Sequence, residues 1–266
     1  MMNKKIKVSH EVPFCLLEDS LKYNDYQYAL VHLLEENEEY RNHFLKCKEK
    51  GIPIYLDNSL HEKGYAIGGN ILMKWINILE PECVFIPDVW EDYNRSIVNA
   101  KEWIKYEYPK NTIPVAVVQA TSYLEATICT QVYKDLGYKK IAYSYGASYY
   151  KDIIPHPNVN IGKALGRISV ISRLYNEKML EPTDRVHLLG CQIPQEFTYY
   201  HDIECIESID TSNPIMAALE GTYYEAYGLY HKPKINMNEA QDMSRDKINV
   251  ALVDYNVNMF RKINNL

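Results

Sequence analysis

Four apolar runs in this sequence each end in a polar side chain that could do chemistry: Asp57 in IYLDNS, Asp88 in VFIPDVW, Gln119 in AVVQATS and Asp210 in ESIDTSNP. Carboxylates in such places suit general acid–base or nucleophilic work, and an amide beside them can donate and accept at once. Each Asp taken alone reads better as the N-cap of the helix that follows than as a catalyst. Recurrence after four apolar runs, with Gln119 among them, points instead to a site. Carboxyl ends of parallel strands converge on one mouth in a barrel, so these four side chains are expected to surround one pocket there.

The elements that must position them recur with the rhythm of parallel βα units. Strand candidates are VPFCLL (12–17), IPIYLD (52–57), CVFIPD (83–88), PVAVVQ (114–119), KIAYSY (140–145), VHLLG (186–190) and IECIESID (203–210). An eighth is sought in the tail around Ile248–Val253, which reads at least as well as a closing helix. Helical patterns lie between them: NDYQYALVHLLEENEEYRNHFLKCKEK, GGNILMKWINIL, NRSIVNAKEWIKYEY and SYLEATICTQVYKDLG. The expected fold is α/β, a TIM-type (β/α)8 barrel of one domain over residues 1–266, with a long connection at about 146–185. No GxGxxG or GxxxxGK[ST] loop follows a strand to suggest a dinucleotide or nucleoside triphosphate.

The composition is that of a globular protein, 47% hydrophobic and 24% charged, with 24 tyrosines and a net charge of −6. An acidic balance does not favour a nucleic-acid partner, but charge is uneven, and Lys163, Arg167, Arg173 and Lys178 make one segment basic. The six cysteines have no CxxC or CxC pair, and His61, His156, His187, His201 and His231 show no ligand spacing, so neither metal nor other cofactor is expected. Glu18 and Asp19 are alternative acids that read better as helix caps. Ser144, Ser148 and Ser169 sit in no GxSxG elbow. The N-terminal MMNKKIKVSHEVPF has no apolar core of signal-peptide length, and no stretch approaches the roughly 20 apolar residues of a membrane span. A cytoplasmic location without membrane contact is the resulting expectation.

In order and spacing, LDNS, IPDVW, VVQATS, IAYSYGAS, HLLGCQIPQE and SIDTSNP resemble the successive strand-end motifs of the tRNA-guanine transglycosylase family. The likeness is strongest to its compact, zinc-less, phage-type relatives that insert 7-deazaguanines into DNA, and it covers roughly residues 50–220. It implies that Asp210 is the nucleophile and Asp57 the general acid/base. It also implies that Asp88 and Gln119 read the base edge, with Ser144, Tyr145 and Gly146 forming the pocket floor. The implied reaction exchanges guanine for a 7-deazaguanine in nucleic acid, DNA before tRNA, through a covalent aspartyl–sugar intermediate. The different reading of the same carboxylates is a nucleoside or DNA N-glycosidase, or a nucleoside-binding barrel.

Two departures from the family stand out. Where the family has Ser-Gly-Gly or Ser-Gly-Ala and an aromatic, this chain has Asn58-Ser59-Leu60-His61, so stacking on the base is left to Tyr65 or a tyrosine near Tyr143 and Tyr145. The cysteine-rich zinc site is missing. Expected partners are therefore nucleic acid, DNA before tRNA, and a 7-deazaguanine base, with a homodimer or a partner subunit also open. The nucleic-acid grip is expected in the connection of about 40 residues after the fifth strand, through Lys163, Arg167 and Arg173, with Tyr149, Tyr150 and Tyr175 available for stacking.

Overall fold

The computed structural model describes residues 5–266, and the first four residues of the charged N-terminal segment lie outside them. Eight strands follow in chain order: β1 (Lys7–Ser9), β2 (Gln27–Leu30), β3 (Ile54–Asp57), β4 (Cys83–Phe85), β5 (Ile113–Val118), β6 (Lys140–Ser144), β7 (Val186–Leu189) and β8 (Ile206–Asp210). They form one sheet in the order β1-β8-β7-β6-β5-β4-β3-β2, parallel from β2 to β6 and between β1 and β8. Strands alternate with helices, and the fold is a TIM-type (β/α)8 barrel.

The helices are α1 (Leu17–Tyr23), α2 (Val31–Glu36), α3 (Glu38–Glu49), α4 (Leu60–Lys63), α5 (Gly69–Leu79), α6 (Tyr93–Trp103) and α7 (Tyr123–Asp135). After them come α8 (Tyr150–Ile153), α9 (Val159–Asn176), α10 (Asn213–Leu219), α11 (Met237–Ala240) and α12 (Val250–Ile263). Among the described residues no helix is long and apolar enough to cross a membrane. Two compact units are distinguished: Asp25–Ser144 with Asp184–His187, and the described residues up to Asn24 with Tyr145–Thr183 and Leu188–Leu266.

In the unit built on Asp25–Ser144, the strands are buried almost end to end, as parallel strands covered on both faces must be. The register sets Leu30 against Asp57, Phe85 against Val115 and Val118 against Tyr143. Helix α5 buries Leu72, Trp75, Ile76 and Leu79, the i, i+3, i+4, i+7 stripe of an amphipathic helix. Sequence-local caps fix where the next two helices begin. Asp92 accepts from the Arg95 amide at 3.0 Å to start α6, and Ser122 accepts from the Glu125 amide at 3.2 Å to start α7.

In the other unit, β1 pairs with β8 so that Ser9 lies opposite Asp210. Helix α9 buries a face of Gly162, Ala164, Gly166, Arg167, Val170, Ile171 and Leu174. At Gly166 a Cβ would lie 2.1 Å from the Tyr150 carbonyl oxygen, so glycine is required for α8 and α9 to touch. Helix α12 closes the chain with Leu252, Val253, Val257 and Phe260 inward.

Two expected elements are corrected. Residues 12–17 are not a strand: Phe14–Leu16 form a 3₁₀ turn that runs into α1, and the first strand is Lys7–Ser9. Glu18 and Asp19 accordingly lie on a helix, where Asp19 pairs with Arg245. The stretch read as one helix from Asn24 holds β2 before α2 and α3 begin. Four residues are too few to show a period of two, and the apolar residues after them fit a helical one. The tail around Ile248–Val253 enters α12 and supplies no strand. The connection at 146–185 contains α8 and α9 and is a helical crossover.

Candidate active site

In the unit built on Asp25–Ser144, the ends of β3, β4 and β5 hold Asp57, Asp88 and Gln119 in one polar network. Asp57 is half-buried; its Oδ1 accepts from the Tyr28 hydroxyl at 3.0 Å and its Oδ2 from the Ser59 amide at 2.7 Å. That second bond closes a tight turn in which Ser59 takes a left-handed φ of 64°. The Ser59 hydroxyl meets Nδ1 of buried His32 at 2.8 Å, and burial pushes the His32 imidazole down to about 4, so it stays neutral.

Asn58, buried next to Asp57, donates its amide to the Ile86 carbonyl and to Asp88 Oδ1, both at 2.8 Å, and accepts from the Leu60 amide at 2.9 Å. Gln119 donates to Asp88 Oδ2 at 2.6 Å, while its own carbonyl accepts from the Glu91 backbone N–H at 3.1 Å. Asp88 thus sits between two amide donors. Gln119 is held in one orientation, with its acceptor occupied and one N–H committed to Asp88.

Burial pushes the Asp88 carboxyl up to about 7. The Gln119 and Asn58 bonds oppose the rise, and the Asp57 charge adds to it. A carboxyl whose folded pKa is raised contributes stability that is fully present below its ordinary 3.8 and is lost as pH rises through about 7. Stability relative to Asp88→Asn should therefore fall between about pH 4 and pH 7.5 and level off above, as read from urea midpoints. Parallel pH profiles for the two proteins would contradict a perturbed Asp88.

Asp210 lies in the other unit, half-buried at the end of β8. Its Oδ1 faces the backbone N–H of Gly190 at 3.4 Å. Gly190 has a φ of +57°, and a Cβ there would lie 2.3 Å from the Tyr145 ring, so only glycine brings this turn against Tyr145. Lys232 sits 4.3 Å above that ring and donates to the Tyr145 hydroxyl at 2.8 Å.

The turn is held from behind by Arg167. Its guanidinium donates to the Leu189 and Gly190 carbonyls at 2.8 Å each and to Glu196 Oε1 at 2.6 Å. The Tyr200 hydroxyl donates to the same Glu196 oxygen at 2.9 Å. Side-chain exposure is 1% for Arg167 and 0% for Glu196. This corrects the expectation that Arg167 grips nucleic acid, because a buried guanidinium committed to a carboxylate and two carbonyls cannot reach a phosphate.

Of the other basic candidates, Arg173 is exposed and pairs with Glu177 at 2.7 Å, and Lys163 donates to the Gly146 carbonyl at 3.3 Å. Tyr149 and Tyr150 are buried, which removes them as stacking residues. Tyr143 is also buried, with its hydroxyl 2.6 Å from that of Thr130, whereas Tyr65 is exposed. Ser144 ends β6, and Tyr145 and Gly146 follow it. Among the described residues no group of three His, Cys, Asp or Glu side chains could hold a metal ion.

Three roles were not legible in the sequence. Asn58 was visible only as a departure from a family pattern. The Glu91 amide carries no side-chain signal, and the Arg167–Glu196 pair spans 29 residues. Set against known proteins, the chain matches no family model and no curated protein.

Proposed function

We propose that this protein is a transglycosylase that exchanges guanine for a 7-deazaguanine base in nucleic acid, DNA before tRNA. The observation that carries the reading is the amide–carboxyl–amide chain Asn58–Asp88–Gln119 beside Asp57 at the ends of three adjacent parallel strands. Each oxygen of an ionised Asp88 keeps a second lone pair beside its bond to Asn58 or Gln119, and these can accept the two N–H donors of one heterocycle edge, guanine's N1–H and exocyclic amine. The Gln119 N–H left over donates to a 6-oxo group, and a 6-amino base would meet it donor to donor. Because Asp88 ionises only near neutrality, acceptance of these donors strengthens as pH rises through about 7.

The roles of the two catalytic carboxylates come from the resemblance. Asp210 attacks the anomeric carbon; the sugar–base bond breaks, and guanine leaves with the bonding pair and a proton from Asp57. The ionised Asp57 then takes a proton from the incoming base, whose nitrogen displaces the Asp210 carboxylate with net retention.

The test is incubation of the protein with DNA and labelled guanine. Label should enter the DNA, and a denaturation-resistant protein–DNA adduct should form and vanish in Asp210→Ala. Free base released without incorporation would establish the N-glycosidase in its place. Neither incorporation nor release would leave a binding barrel.

A further inference from the structure

We propose that Trp90 is the stacking platform for the nucleobase, set at the rim of the Asp88–Gln119 network and presented by a loop built to hold it outward. The inference rests on the nucleobase reading above.

Trp90 lies between two anchored residues. Before it, Asp88 is tied by Asn58 and Gln119; after it, the Glu91 N–H is tied to the Gln119 carbonyl at 3.1 Å. Residues 88–91 therefore close a ring around the Gln119 amide, with the indole on the outside. The loop is also fastened to α6, where the Ser96 hydroxyl accepts from the Val89 amide at 3.0 Å and the Asn99 amide donates to the Pro87 carbonyl at 3.2 Å. Glu91 takes a left-handed φ of 50°, a conformation that a non-glycine residue keeps only where its surroundings over-determine it.

The product of this bracing is an indole left 40% exposed. Its ring neighbour is His61, from the helix that follows the Asp57–Ser59 turn, with centroids 6.2 Å apart and planes tilted by 44°. The helix after the Asp57 turn and the loop after Asp88 thus each contribute one ring to this pair. A flat heterocycle whose edge pairs with Asp88 and Gln119 needs an apolar face beside it, and tryptophan offers the largest one.

The chain has three tryptophans, and Trp75 and Trp103 are 3% and 6% exposed, so quenching of exposed-indole fluorescence reports Trp90. The probes are guanosine and a single-stranded oligothymidylate with one central guanine, with binding of the labelled strand followed in parallel by anisotropy. The guanine strand should quench saturably. Trp90→Ala should bind it about tenfold more weakly, while Trp90→Phe, which keeps a stacking face, should stay within about threefold of wild type. Quenching by guanosine alone would assign the platform to the free base as well as to the strand. Unchanged affinity in a folded Trp90→Ala protein would overturn the proposal, as would equal weakening in Trp90→Phe. Trp90-dependent binding without guanine exchange would remove the transglycosylase reading and keep the platform. Wild-type exchange and strand binding in Trp90→Ala would do the reverse.

Discussion

Asp57→Asn is expected to slow base exchange by about 10²- to 10⁴-fold, the range for losing a positioned general acid–base group, with the melting temperature little changed. The substitution is nearly isosteric. An Asn carbonyl can still accept from the Ser59 amide, now at 2.7 Å, and the new amide can donate to the Tyr28 hydroxyl, now at 3.0 Å from the carboxylate. The turn that places Asn58 against Asp88 is therefore kept, and only the transferable proton is lost. Single-turnover exchange rates beside thermal unfolding curves would test this. Normal turnover in a folded variant would reduce Asp57 to a residue that merely shapes the turn.

Arg167→Met carries the largest expected effect on stability, a loss of about 3–5 kcal/mol, because removing one partner strands the other charge in the interior. Glu196 would keep the Tyr200 hydroxyl alone, and its Oε2 already lacks a partner. The Leu189 and Gly190 carbonyls would lose their guanidinium donors as well. Replacing both members, Arg167→Met with Glu196→Met, should recover much of the loss, since no isolated charge then remains buried. Urea midpoints of the two variants against wild type decide it. A single variant as stable as wild type would mean that the pair contributes nothing net. The clamp also orients the Gly190 N–H that faces Asp210, so the double variant should be folded yet slower in exchange.

Local pattern was enough to read the class of fold. The runs ending at Asp57, Asp88, Gln119 and Asp210 are strands at their expected places, and α5, α6 and α7 lie where apolar residues recur at helical spacing and where Asp92 and Ser122 can cap. Such signals act over a few residues, so they survive without knowledge of partners. The chain's polar strand ends were likewise legible, because each is a break in an apolar run.

What the tertiary structure decided depends on contacts between residues far apart in sequence. Lys7–Ser9 and Gln27–Leu30 become strands because β8 and β3 offer them edges to pair with; three or four residues carry no period of their own. Arg167 reads as one more cation on a basic helix until Glu196 and two carbonyls surround it. The orientation of the Gln119 amide, and with it the pattern a base would meet, is set by the Glu91 backbone, and the proton on Asp88 is set by burial together with Asn58 and Gln119. Sequence determined which functional groups this protein has at its strand ends. Desolvation and long-range hydrogen bonding determined which of them are already committed and which face outward.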